Sequence, residues 1–214
     1  EWPVNSKIPT ERELCTLFKV SRITVRQALS ELEQEGYLYR KQGRGTFVTA
    51  PKIEQRLSHF YSFSEEIRDM GYSPSSRMLD FRIVKADESV ANNLGLNRGD
   101  PVYSIRRLRL ANEEPFAIEN SFVPCDVCPG LSSEDISSKG LYNTMNINYG
   151  LIPNEAVETF EAIAIDAENA HYLNVSRNSP GLLLERVTRA DQTIVEYCHS
   201  IIRGDRYKYQ ILLK

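Results

Sequence analysis

Arg107 and Arg109 stand two positions apart in the run YSIRRLRLA. In a β-strand such residues share a face, so both guanidinium groups point the same way, beside Tyr103 and Ile105. Like charges placed so repel, and burying them is costly unless an anion is supplied. The arginine fork matches phosphate and carboxylate oxygens, so the chemistry this spacing suggests is anion holding. Glu119 and Glu196 could receive hydroxyl or amino groups at the other end of the same ligand. They could equally close an internal ion-pair network that ties the sheet together; spacing leaves both open.

A second constellation lies near the start. Thr10 with Glu13 forms a capping box, and Leu14, Leu17 and Phe18 give one apolar face. A brief turn at Lys19 and Val20 precedes Ser21, which caps a second helix with the stripe Val25, Ala28, Leu29 and Leu32. The opposite face carries Ile23, Arg26, Gln27 and Ser30, flanked by Arg22. An isoleucine turned to water is odd on a plain surface but suits a thymine methyl in a major groove, with arginines reaching guanine edges or phosphates. A solvated face with one stray apolar residue is the alternative. Beyond Gly36, apolar alternation around the glycines of GRG at 43–45 describes a hairpin with Arg44 at its tip, where arginine can enter a narrow minor groove.

The elements that must hold these residues follow from the rest of the chain. At 214 residues it has room for one large or two small domains. Residues 1–52 carry nine Lys/Arg against six Asp/Glu, and the remainder seventeen against twenty-three: a slightly basic head on an acidic body. Residues 49–60 read as the junction. Within the body, 87–112 and 166–191 align without gaps at an offset of 79, with seven identities including Arg107 with Arg186. Each copy reads as an Asp-capped short helix and a hairpin, and deleting two residues at the second turn would set Glu119 opposite Glu196. Two such units, joined in one antiparallel sheet about a pseudo-twofold axis and extended by VETFEAIAI and the terminal YKYQILL, predict an α+β fold.

No apolar run approaches the roughly 18 to 20 residues of a membrane span. The start EWPVNSKIP lacks a leader's basic-then-apolar pattern, which places the protein in the cytoplasm by expectation. Four scattered cysteines make no disulfide framework. Cys125 and Cys128 form a C-x-x-C without the two further ligands that zinc requires. Neither a metal nor a cofactor is expected.

The segment IPTERELCTLFKVSRITVRQALSELEQEGYLYRKQGRGTFV resembles the winged helix-turn-helix of GntR-type bacterial transcription regulators. The resemblance implies operator contacts from Arg12, Ser21, Arg22, Thr24, Arg26, Arg44, Gly45 and Thr46. That family has a further helix before IPTEREL, which this chain is expected to lack. From about residue 58, YSFSEEIRDMGYSPSSRML, RRLRLANEEPFAIENSFVP, KGLYNTMNINYGL and VEYCHSIIRGDRYKY resemble the UTRA effector domain of the HutC subfamily, a chorismate-lyase-like α+β fold. The pattern is similar to that of N-acetylglucosamine-utilisation repressors, whose effectors are amino-sugar phosphates. It implies an effector site of Ser64, Arg107, Arg109, Glu119, Tyr142 and Glu196. Gly140 stands where a phosphate-binding serine is expected and Ile202 where a tyrosine is common, which implies a kept anion cradle and a different phosphorylated sugar or derivative.

The resulting division is a DNA-binding head at 1–49, a linker at 50–60 and an effector domain at 61–214. It describes a homodimeric repressor of carbohydrate-utilisation genes, released from operator DNA by a small anionic effector. One short helix reads too few bases alone, so dimerism is expected. The alternative is a lyase-like enzyme acting on a small anionic substrate, with glutamates and arginines as acid and base. Neither His59, His171 nor His199 has an evident catalytic partner, and an enzyme would leave the attached DNA reader unexplained.

Overall fold

A computed structural model describes residues 2–41, 43–49, 53–56 (backbone) and 62–210. The chain divides into two compact units between Ile53 and Glu54.

In the first unit, helix α1 (Glu11–Phe18) starts at the capping box: the Thr10 hydroxyl accepts from Glu13 N–H, and the Glu13 carboxylate accepts from Thr10 N–H at 2.7 Å. Lys19 closes it in the left-handed conformation. Ser21 then caps α2 (Arg22–Gln34), and strands β1 (Leu38–Lys41) and β2 (Gly45–Val48) pair as the hairpin. Ile8, Leu14, Val25, Leu29 and Leu38 form the core. The predicted apolar stripes are only half buried: Leu17, Phe18, Ala28 and Leu32 are exposed. The described cover reaches one turn of each helix and no further.

Strand β3 (Ile53–Arg56) straddles the division and lies in the expected junction, whose residues 50–52 and 57–60 are outside the described set, as is His59. There follow α3 (Phe63–Asp69), β4 (Pro74–Lys85), α4 (Glu88–Leu94), β5 (Pro101–Ala111), β6 (Glu114–Pro124), α5 (Ser133–Lys139), α6 (Leu141–Tyr149), β7 (Glu155–Ala164), α7 (Ala167–Leu173), β8 (Pro180–Ala190), β9 (Thr193–Arg203) and β10 (Tyr207–Gln210). Six strands form one antiparallel sheet in the order β4-β5-β6-β9-β8-β7. β7 extends the sheet as expected. β10 does not: it pairs with β3 in a separate two-stranded sheet, and residues 211–214 lie outside the described residues.

The offset of 79 holds for helices and hairpins alike, and it reaches one strand further than the sequence alignment, to β4 and β7. It also corrects the expected correspondence of the glutamates. Arg109 pairs with Ala117 and Leu110 with Pro115, leaving Phe116 as a bulge; Thr188 pairs with Glu196 and Arg189 with Ile194, leaving Val195. The same bulge in both hairpins preserves register, so no deletion is needed. Glu119 corresponds to Cys198, and Glu196 to Ala117. At the pseudo-twofold axis the equivalent residues Asn120 and His199 face each other and share a 2.9 Å hydrogen bond.

The repeats interlock, because α4 packs on β9 and α7 on β6. Val102 and Leu108 of β5 point to that helical side. On the other side, Tyr103 and Ile105 pack with Leu141 and Met145 of α6, so the alternation that buries a core on both faces also turns Arg107 and Arg109 inward beneath α3 and α6.

Candidate functional site

The sheet face beneath α3 and α6 bounds a cavity of about 330 Å3. All six residues of the expected effector site line it: Ser64 from α3, Arg107 and Arg109 from β5, Glu119 from β6, Tyr142 from α6 and Glu196 from β9. Arg107 and Arg109 are 5% and 7% exposed, so their charges are settled by the protein and by whatever fills the cavity.

Glu119 is the cross-strand partner of Arg107 and accepts a hydrogen bond from its Nη2, which also reaches Ser121 Oγ at 3.3 Å. Arg109 is further off: its Nε lies 3.9 Å from Glu119 Oε2, and its guanidinium stacks on the Phe63 ring, 4.3 Å from the centroid. One carboxylate thus serves two guanidinium groups, and among the described residues the Nε of each is buried without a hydrogen-bond partner. The internal network left open by spacing is therefore half formed. Glu196 belongs to a different group, accepting from Tyr142 Oη at 2.6 Å beside Thr188.

Burial works against the charge on Arg107, but Glu119 and Glu196 outweigh it and hold the guanidinium above its ordinary value. Arg109 ends the other way: burial, aided by Arg107, overcomes Glu119 and pulls it down to about 10. Burial would raise Glu119, yet the two arginines bring it down to about 2. The site is short of negative charge at Arg109, where a bound anion would be stabilised.

Gly140 and the first residues of α6 form another wall of the cavity. No side chain caps this helix, so its first N–H groups lack intrahelical partners and carry the positive end of the helix dipole. Gly140 has φ 83° and ψ 158°, a region open essentially to glycine alone. A Cβ there meets nothing within 4 Å, so the constraint is torsional rather than one of space. Gly140→Ala is expected to destabilise the protein by about 1–3 kcal/mol in urea unfolding.

Sequence reasoning missed two buried charged residues of the cavity. Arg186, 6% exposed, is the repeat equivalent of Arg107 and pairs with Glu158 at 2.8 Å; the offset itself was the signal. Glu66, 8% exposed on α3, accepts from Tyr207 Oη at 3.2 and 3.3 Å. Its partner lies 141 positions away, and nothing local announces it.

In the head, Arg22, Thr24 and Arg26 lie on the exposed first turns of α2, and Ile23 is 80% exposed. Ser21 Oγ accepts from Thr24 N–H at 3.2 Å, and the two hydroxyls are 2.8 Å apart. Glu11 of α1 bridges both arginines, 3.1 Å from Arg22 Nε and 3.3 Å from Arg26 Nε. Arg12 is exposed on α1. Arg44 is exposed between the hairpin strands, followed by Gly45 at φ 119° and Thr46. The residues expected at DNA thus fall on two elements of one small unit, α2 and the hairpin, with Arg12 on α1.

Comparison with known proteins bears on both units. Residues 69–208 match the UTRA domain, and residues 1–48 match the bacterial regulatory proteins of the gntR family. The chain is 39% identical over 204 residues to the HTH-type transcriptional repressor NagR of Bacillus subtilis (strain 168), covering 94% of this chain and 83% of that protein. It is 28% identical to the mannosyl-D-glycerate transport/metabolism system repressor MngR of Escherichia coli (strain K12), covering 96% and 85%. The crystal structure of PhnF from Mycobacterium smegmatis is similar with a TM-score of 0.69 at 30% identity, covering 100% of this chain and 94% of that one. The lyase-like enzyme alternative falls with these matches, since the family and these relatives are regulators. The chain belongs to the GntR family of DNA-binding transcription regulators and carries a UTRA effector domain of the HutC type.

Proposed function

We propose that the protein is a homodimeric repressor that a sugar phosphate, or a similarly anionic sugar derivative, releases from its operator. The observation that carries this reading is the pair of buried guanidinium groups sharing one carboxylate at the wall of a cavity. A phosphate on Arg107 and Arg109 would supply the missing charge and face the open N-terminus of α6. A cavity near 330 Å3 is at the small end of ligand pockets, which suits a monosaccharide derivative. The relative named for mannosyl-D-glycerate, a sugar bearing a carboxylate, is consistent with an anionic sugar as ligand.

In this reading Arg12, Ser21, Arg22, Thr24, Arg26, Arg44, Gly45 and Thr46 contact the operator, and Ser64, Arg107, Arg109, Glu119, Tyr142 and Glu196 contact the ligand. The head is 1–49, the linker 50–60 and the effector domain 61–214, in a cytoplasmic protein. Among the described residues, no helix is long and apolar enough to cross a membrane. Switching requires only that ligand bind the DNA-competent arrangement less well than the other.

The test is release from DNA. Fluorescence anisotropy of the intact protein on a fragment it has selected from a random pool should fall on adding glucosamine 6-phosphate or its N-acetyl derivative. Unphosphorylated glucosamine should have no effect at about a hundredfold higher concentration, given the size of charge-assisted contacts. Equal release by the unphosphorylated and phosphorylated sugars would overturn the reading.

A further inference from the structure

The anion seat occupies the β5 side of the cavity. The other side, toward β8 and β10, is lined by Leu184, Ile202, Phe116 and Tyr207. Phe63, Phe116 and Tyr207 form a chain of ring contacts, with centroids 5.5 and 5.2 Å apart. Into this apolar surround α3 inserts Glu66, 8% exposed. Both its oxygens lie within hydrogen-bond distance of one phenol, Tyr207 Oη, at 3.2 and 3.3 Å, and among the described residues no ion pair involves it.

We propose that Glu66 is a specificity-determining residue whose carboxyl donates a hydrogen bond to an uncharged acceptor oxygen, a carbonyl or hydroxyl, on the far substituent of the ligand. The inference rests on the anionic-sugar reading above and deepens it. A phenol hydroxyl can donate to only one carboxyl oxygen at a time, so a protonated carboxyl keeps its own hydrogen free for the cavity. Glu66 and Arg109 line the same cavity, and Phe63, three residues before Glu66 on α3, stacks on the Arg109 guanidinium, so one ligand can meet both.

Burial, more than the charges facing it, keeps Glu66 neutral. Glu158 of β7 and Asp69 of its own helix oppose ionisation, while Arg186 of β8 favours it but is also engaged by Glu158. Burial is the largest influence, and despite the Tyr207 hydrogen bond it lifts the carboxyl to about 8. An ionised carboxylate there would have no proton to donate. The bound state therefore holds the proton, and affinity is full below about pH 8 and falls as pH rises through that value. Burial pushes Tyr142 and Cys198 well up, Glu119 is held near 2, and Arg109, at about 10, keeps its charge through most of this range. A sugar phosphate is already fully ionised above its second pKa, about 6.

Calorimetric titration with N-acetylglucosamine 6-phosphate near pH 7 and near pH 9 tests this on the wild type, Glu66→Gln and Glu66→Leu. Wild-type affinity should fall about tenfold between the two, as the neutral fraction does. Glu66→Gln keeps a donor that never ionises, and should bind within about threefold of the wild type near pH 7 with no fall near pH 9. Glu66→Leu should bind about three- to tenfold more weakly than the wild type near pH 7, with no further fall near pH 9; if it does not fold, the Gln variant alone decides. A wild type indifferent to pH, or a Gln variant that falls as the wild type does, overturns the proposal. Failure of the wild type to bind the probe at either pH overturns the anionic-sugar reading itself, and this inference with it.

Discussion

Replacing Arg109 with Met should leave the protein at least as stable and abolish its response to ligand. The buried guanidinium is pulled down to about 10, so the fold disfavours its charge. For a cation with a depressed value, that cost is present at every pH below about 10, neutral pH included. Glu119 keeps its hydrogen bond from Arg107 when Arg109 is gone. Removing one buried ion is costly, about 3–5 kcal/mol, only where it leaves its partner unpaired; because Arg107 still holds Glu119, the urea midpoint should hold or rise. Losing the fork from the anion seat should instead cost about 2–5 kcal/mol of binding, roughly 30-fold to several thousandfold. A variant that loses stability and keeps affinity would show that Arg109 is a structural strut.

The second large effect is expected in the head. Arg26→Ala should weaken binding to the selected DNA by about 1–3 kcal/mol per half-site, twice that for a dimer, while ligand affinity stays unchanged. Its ion pair with Glu11 is exposed on the arginine side, and such pairs add little to stability, so folding should be untouched. Anisotropy against selected and scrambled sequences separates base reading from phosphate contact. Loss on the selected sequence alone supports base reading by Arg26; equal loss on both, with a shallower salt dependence, contradicts it.

The head was legible because its signals are local. Thr10 with Glu13, Ser21 and the glycines around Arg44 each fix a helix start or turn within a few residues, and each stands where expected. Periodicity overstated its core, since the exposure of Leu17 and Leu32 depends on what covers a helix rather than on spacing. In the body the repeat carried the architecture. β4 was missed because an edge strand reading PSSRMLDFRIVK keeps no clean alternation, and α6, rich in Asn and Tyr, shows no clear apolar face. The pairing of the glutamates was misplaced because a bulge, Phe116 or Val195, is invisible in sequence.

The arginine pair was readable from two-residue spacing, but its electrical state was not. Whether Glu119 would satisfy one guanidinium or both depended on a register and on side-chain reach; it joins Arg107 closely and leaves Arg109 at 3.9 Å. That shortfall is what turns two arginines on a strand into a seat for a ligand.

The most direct measurement is the position of phosphorus in a crystal of the protein grown with glucosamine 6-phosphate. Phosphate oxygens within about 3.2 Å of nitrogens on both Arg107 and Arg109, beside the backbone N–H groups that open α6, are the expected result. A ligand bound elsewhere, with Glu119 still the one carboxylate shared by both arginines and the cavity vacant at saturating concentration, would contradict it.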